Sequence, residues 1–267
     1  MQVIEFIKEK GFEALTSELG IKVKQYEYEG VTVLNYCQID SPKTHPIVRE
    51  CRGLILETET LKILARPFKR SYNWGEAPET TVDFDLSRAL AYDKIDGSLI
   101  KIYNDQNGVW QCATRGTAYA ESDCMGHGLL FRDLVWRALG GFKDAVEFHK
   151  HCDEYLEEDV TYLFEVTSFE NRVVTRYEGT KLWYLGAIHR DTGVDVSFDF
   201  DDRDVVRFGA NVVKYHTFDT IDECLKTAAA LPDLAEGYVL HDQTSDVRIK
   251  VKSPAYVAVH PIRGEGL

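Results

Sequence analysis

Lys94 lies in the segment Ala91-Tyr92-Asp93-Lys94-Ile95-Asp96-Gly97-Ser98. An apolar strand runs into the lysine, Asp96-Gly97 turns the chain, and a second strand leaves. A lysine held at such a strand end can face a cleft, and its amine is a nucleophile once neutral. Free lysine titrates near about 10.4, so neighbouring cations or desolvation must lower that value. Lys250 and Lys252 flank Val251, and alternation puts both on one face of a strand. Glu165 and Glu236 are carboxylates on otherwise apolar strands, an unfavourable placement unless each is paired or bound to a metal ion. Plainer readings stand beside these. Lys94 could be a surface lysine before a DG hairpin turn, the late lysines a solvent-facing strand edge, and the glutamates their ion-pair partners. K-x-D-G alone arises by chance in about one chain of this length in twenty.

These groups need a scaffold to converge. Residues 1–20 read as an amphipathic helix with Ile4, Ile7, Leu15 and Leu19 near one face. Residues 21–114 read as strands, with hairpins at Glu29-Gly30 and between CRGLILE and LKILARPF. Residues 127–158 read as helical with a break at Gly140-Gly141. TYLFEVT, KLWYLGAIHR and VDVSF read as strands, 219–230 as a helix, and EGYVLH and VRIKVK as closing strands. The acidic runs 153–159 and 199–204 read as solvated faces or loops. This mixed order predicts an α+β fold with antiparallel sheets. No linker divides it, so 1–267 is expected to be one catalytic domain with 1–48 as an N-terminal elaboration.

Composition narrows the chemistry. The chain has 267 residues and a formal charge of −13, which excludes nucleic-acid binding through bulk positive charge. Locally the balance reverses. Between Leu61 and Gly75 lie Lys62, Arg66, Lys69 and Arg70 without an acid, and the stretch from Val247 to Gly264 is also basic without an acid. A basic cleft on an acidic body is expected. There is no Walker phosphate loop, no HExxH and no GxSxG. His149, His151 and Cys152 diverge around one helix and make a poor metal site. No run is long enough to span a membrane, and six cysteines without a CxxC pair read as reduced thiols of a cytoplasmic protein.

Six segments in order resemble the covalent nucleotidyltransferase superfamily of ATP-dependent ligases and capping enzymes, and within it the phage RNA ligase 1 type that seals tRNA breaks. Glu50-Cys51-Arg52-Gly53 resembles the arginine-glycine strand of that family. Arg66-Pro67-Phe68-Lys69-Arg70-Ser71-Tyr72-Asn73 resembles its basic-aromatic-Asn segment, and Lys94-Ile95-Asp96-Gly97 its nucleophile motif. Phe164-Glu165 with Asn171-Arg172, Glu236-Gly237-Tyr238-Val239, and Lys250-Val251-Lys252-Ser253 with Tyr256 resemble the later motifs. The chain departs from the pattern at Arg70, where lysine is usual, at Ser71, where an aromatic is usual, and at Arg115, which stands where the family has a lysine.

The resemblance implies an ATP-grasp-like nucleotidyltransferase core and three nucleotidyl transfers. Lys94 takes AMP from ATP, the AMP passes to a 5′-phosphate RNA end, and a 3′-hydroxyl displaces it. It also implies roles. Lys250 and Lys252 grip the α-phosphate and depress the pKa of Lys94. Gly97 belongs to the nucleotide-binding turn, and Arg52, Arg70 and Arg115 hold ribose or outgoing phosphates. Glu165 and Glu236 place Mg²⁺ (or Mn²⁺), Tyr36 stacks on nucleotide or RNA, and the strand 183–189 lines the adenine. The chain ends soon after the last motif, so no OB-fold and no C-terminal specificity domain are expected. Looser choice of RNA ends follows, with a broken tRNA and a helper protein as candidate partners and a host cytoplasm as the location if the gene is a phage's. Two rivals remain open: a GTP-dependent capping-type enzyme, and a catalytically inactive RNA-end-binding module.

Overall fold

The computed structural model describes residues 1–232 and 234–264. Helices α1 (Gln2–Lys10) and α2 (Phe12–Leu19) open the chain, followed by strands β1 (Lys22–Tyr26) and β2 (Val31–Asn35), helix α3 (Pro46–Glu50), and strands β3 (Arg52–Glu57), β4 (Ile63–Ala65) and β5 (Tyr72–Asn73). Strands β6 (Ala89–Asp93), β7 (Ser98–Asn104) and β8 (Trp110–Thr114) precede helices α4 (Phe131–Ala138) and α5 (Ala145–Tyr155). Then come β9 (Val160–Thr167), β10 (Lys181–His189), α6 (Asp202–Phe208), β11 (Asn211–Val212), β12 (Tyr215–His216), α7 (Ile221–Ala229), β13 (Gly237–Asp242), β14 (Val247–Lys252) and α8 (Pro254–Gly264).

The strands form three sheets, ordered β1-β2-β3-β4, β11-β10-β9-β7-β8 and β12-β6-β13-β14-β5. Nearly all pairs are antiparallel, as the sequence predicts. Two edge pairs, β10 with β11 and β14 with β5, are parallel. The largest apolar cluster packs α4, α5 and α6 on the second sheet, with Phe164, Phe208, Ile100 and Leu134 fully buried. A second cluster seats α1, α2 and α3 on the first sheet through Leu15, Ile21, Leu34 and Leu54. Val33, Ile55 and Leu64 join that sheet to Tyr103 and Ala113 of the second. Burial at this scale, about 1.5–3 kcal/mol per large apolar side chain, holds the sheets in one framework.

The structure departs from the sequence reading in four places. The opening helix is two helices, broken at Gly11 with φ 82°. VDVSF is not a strand: Asp195 makes a single bridge to Ile188, and Ser197–Asp199 is a 3-10 turn. The second acidic run is not a loop but the start of α6. Asp201 caps that helix by accepting from the Arg203 and Asp204 amides, and Asp204 reaches back to the Asp201 amide. Acids there satisfy free N–H groups and favour the positive end of the helix dipole.

The fourth departure positions the site. The DG segment does not close a hairpin. β6 belongs to the third sheet and β7 to the second, so residues 94–97 carry the chain between two sheets. Gly97 makes that crossing possible. A Cβ there would fall 2.3 Å from the Val166 carbonyl oxygen and 3.0 Å from Thr167 Cγ2. Gly97→Ala must therefore push the turn off β9. We expect a loss of about 1–3 kcal/mol in urea unfolding.

Candidate active site

Lys94 emerges directly after β6, its amide bonded to the Gly237 carbonyl at 2.9 Å. Its Nζ lies 2.6 Å from Glu236 Oε1, and Lys252 Nζ approaches the same oxygen at 3.6 Å. The Lys94 side chain is 20% exposed and the Glu236 side chain 4%. The nucleophile candidate is thus an anchored group at a cavity wall, not a surface lysine. Ile249 and Val251 of β14 face the core, which turns Arg248, Lys250 and Lys252 together toward the site. Lys250 is lowered to about 7 by burial first, then by the charges of Arg52, Lys94 and Lys252, with Glu236 opposing.

Glu165 sits mid-strand on β9 and accepts from the Gly97 amide at 3.2 Å. Burial and the charge of Glu236 raise it to about 7, against the pull of Lys94 and Arg52. Two carboxylates and three lysines therefore face one another across the turn 94–97. Hard oxygen donors so placed suit a divalent cation that completes its shell with water and phosphate oxygens. Among the described residues only the Gly97 amide hydrogen-bonds to Glu165 and no cation forms a salt bridge with it, which leaves its oxygens available to such an ion. Among the described residues a tighter group of three donors exists at Asp195, His241 and Asp246. Arg248 already occupies it, with Nη2 2.8 Å from Asp195 and Nη1 2.8 Å from Asp246.

The arginines gather on one side. Arg52 is surrounded electrostatically by Tyr36, Arg115, Glu165 and Arg248. The guanidinium of Arg70 lies 4.1 Å from the Tyr36 ring centre and that of Arg115 5.3 Å. Tyr36 itself is 6% exposed. Among the described residues no carboxylate pairs with Arg52, Arg70 or Arg115, and Nη1 of Arg70 is buried without a hydrogen-bond partner. Unpaired buried guanidinium is unfavourable alone and well suited to a polyphosphate.

The cavity beside Lys94 is lined by Tyr92, Ile95, Tyr184, Leu185 and Val239, and reaches Arg52, Glu165 and Lys250. Of the strand 183–189, Tyr184 and Leu185 face it. Trp183 instead donates to Thr167 Oγ1 at 2.9 Å. A bulge between Tyr184 and Gly186 breaks the two-residue period there, so adjacent residues share one face. Sequence alternation carried no sign of this. Arg248, part of the basic stretch that begins at Val247, stacks on Phe68 at 3.8 Å.

Asp96 is held rather than free. Its carboxylate accepts from the Val174 amide (2.9 Å), the Thr175 amide (2.7 Å) and Tyr256 Oη (2.8 Å), and its own amide donates to Tyr177 Oη. Asn171 bonds Ser168, Ser98 and the Val166 carbonyl. These two buried side chains fix the turn that carries Lys94. Asp96→Ala strands two amides and a phenol, and we expect a loss of about 3 kcal/mol in chemical unfolding. His149 and His151 serve packing: one accepts from the Trp110 amide at 3.2 Å, the other contacts the Phe208 carbonyl at 2.7 Å.

The site thus gathers a lysine between two sheets, two carboxylates, two late-strand lysines and three arginines that have no carboxylate partner among the described residues. The fold is shared with solved ligases. An archaeal ATP-dependent RNA ligase superposes with a TM-score of 0.60 at 15% identity, covering 97% of this chain and 66% of that one. A Naegleria gruberi RNA ligase solved with ATP and Mn gives 0.54 at 13%, covering 72% and 57%. The chain belongs to the RNA ligase family, which it matches over residues 50–256. It is 35% identical over 269 residues to a protein of Autographa californica nuclear polyhedrosis virus named as a bifunctional polynucleotide kinase/RNA ligase, covering 97% of this chain. It is 24% identical over 165 residues to an RNA ligase of Rhodothermus phage RM378, covering 51%. The chain spans 38% and 36% of the length of those two proteins. Among the described residues no helix is long and apolar enough to cross a membrane.

Proposed function

We propose that this chain is an ATP-dependent RNA ligase that joins a 5′-phosphate to a 3′-hydroxyl RNA end. The observation that carries the reading is the placement of Lys94 Nζ, 2.6 Å from Glu236 with Lys252 on the same carboxylate, at the wall of a cavity lined by aromatic and apolar residues together with Arg52, Glu165, Arg248 and Lys250. In the first step the Lys94 amine attacks the α-phosphorus of ATP. An N–P bond forms, the P–O bond to pyrophosphate breaks, and the amine loses a proton. Lys250 and Lys252 neutralise charge developing on the α-phosphate. Arg52, Arg70 and Arg115 take the β- and γ-phosphates, and Tyr36 orients the last two rather than stacking on a base. In the second step a 5′-phosphate oxygen displaces Lys94 from phosphorus. In the third a 3′-hydroxyl attacks that 5′-phosphate and AMP leaves. Glu165 and Glu236 would hold Mg²⁺ or Mn²⁺, which would supply charge neutralisation at the phosphates when bound.

The base sits between Tyr184 and Val239 in this reading. Incubation with α-labelled ATP or GTP tests the choice, since only the nucleotide used labels the protein. Label from GTP alone contradicts the proposal in favour of capping chemistry. We infer that the ends of a cleaved tRNA are among the substrates. The six cysteines, all free thiols, suit the cytoplasm we assign it.

A further inference from the structure

Seven residues beyond Lys94, β7 carries Lys101, a lysine with no exposed surface. Its Nζ donates to the Thr114 carbonyl at 2.6 Å, immediately before Arg115. Over it lies Gly53, the residue after Arg52. A Cβ on Gly53 would fall 2.6 Å from Lys101 Nζ and 2.6 Å from the Arg115 carbonyl oxygen. Gly53 has φ +86° and is skipped in the pairing of β2 with β3, where Leu34 faces Leu54 and Asn35 faces Arg52. The Lys101 ammonium therefore fills the gap beneath a bulge that carries one site arginine and is bonded to the turn that carries another.

We propose that Lys101 is a positioning residue for the polyphosphate end of the site, fixing the strands that bear Arg52 and Arg115 and adding a third positive charge behind them. This rests on the reading that those arginines receive a polyphosphate. The charged groups facing Lys101 are Arg52 from β3 and Arg115 from the turn after β8. Its partners in register on β8 and β9 are Ala113 and Leu163, and β4 contributes buried apolar residues. Among the described residues no carboxylate pairs with it. Burial and the two guanidiniums lower the ammonium to about 7. A polyanion seated on Arg52 and Arg115 reverses that balance and raises it. Lys101 is charged in both states below pH 7. Above it, the free protein has lost a proton that binding must restore. Its contribution to affinity is complete at low pH and fades as pH rises through about 7.

Inorganic triphosphate is the probe, because its binding needs no chemistry at Lys94. Calorimetric titration from pH 6.5 to 9 compares the wild type with Lys101→Met and Arg52→Ala. We expect Lys101→Met to bind about tenfold more weakly at pH 6.5. It should lack the part of the alkaline decline that the wild type shows, and raise the KM for ATP while kcat changes by less than about twofold. Should the methionine variant fail to fold, the ε-carbon resonance of Lys101 in labelled wild-type protein carries the test, titrating near 7 when free and higher with triphosphate. Lys101→Met binding like the wild type at every pH, or a Lys101 resonance unmoved by triphosphate, overturns the proposal and leaves the ligase reading intact. Triphosphate binding that ignores Arg52→Ala removes the arginine reading and the proposal together.

Discussion

Lys94→Ala abolishes covalent labelling by ATP, to below about one part in a thousand of wild type, because no water can stand in for a nitrogen that must bond to phosphorus. The same variant keeps sealing of an RNA whose 5′ end already carries AMP, since that step breaks a P–O bond and needs no lysyl-AMP. Its fold should survive. Lys94 is partly exposed, and its removal leaves Glu236 paired with Lys252 at 3.6 Å. Gel-based ligation of ordinary and pre-adenylylated ends separates the two steps. Equal loss on both substrates contradicts a purely nucleophilic role.

The second large effect is at Lys252. Its ammonium shares a Glu236 oxygen with Lys94 and lies with Lys250 on the site face of β14. In the proposed reaction, Lys252→Ala removes one of the two charges that would neutralise the α-phosphate and leaves Glu236 to Lys94 alone. A loss of about 10²–10³-fold in the rate of adenylylation is expected, read by quenched-flow labelling at saturating ATP. A change confined to KM contradicts the assignment. Lys252→Arg keeps the charge but not its compact geometry, so it restores only part of the rate.

The parts of this site that sequence reveals are those with a short period. Lys250 and Lys252 alternate on one strand, and the structure places them on one face. Glu165 and Glu236 stand out because a carboxylate in an apolar strand demands a partner. What sequence hides is set by distant chain or by broken period. Asp96 reads as a turn residue, yet its partners lie at Val174, Thr175 and Tyr256. Tyr184 and Leu185 both face the cavity only because a bulge intervenes. Lys101 of β7 is buried because the first sheet packs over that strand, a contact set by distant chain. The strands β11 and β12 have two residues each, too few for any periodicity to register. The start of α6 was obscured because its acids cap a helix rather than line a solvated loop.

The most direct test of the account is the mass of the intact protein after incubation with ATP and a divalent cation, followed by peptide mapping. The account predicts a gain of one adenylate, acid-labile as a P–N bond is, on the peptide that carries Lys94. An unmodified chain, or adenylate carried by any other residue, contradicts it.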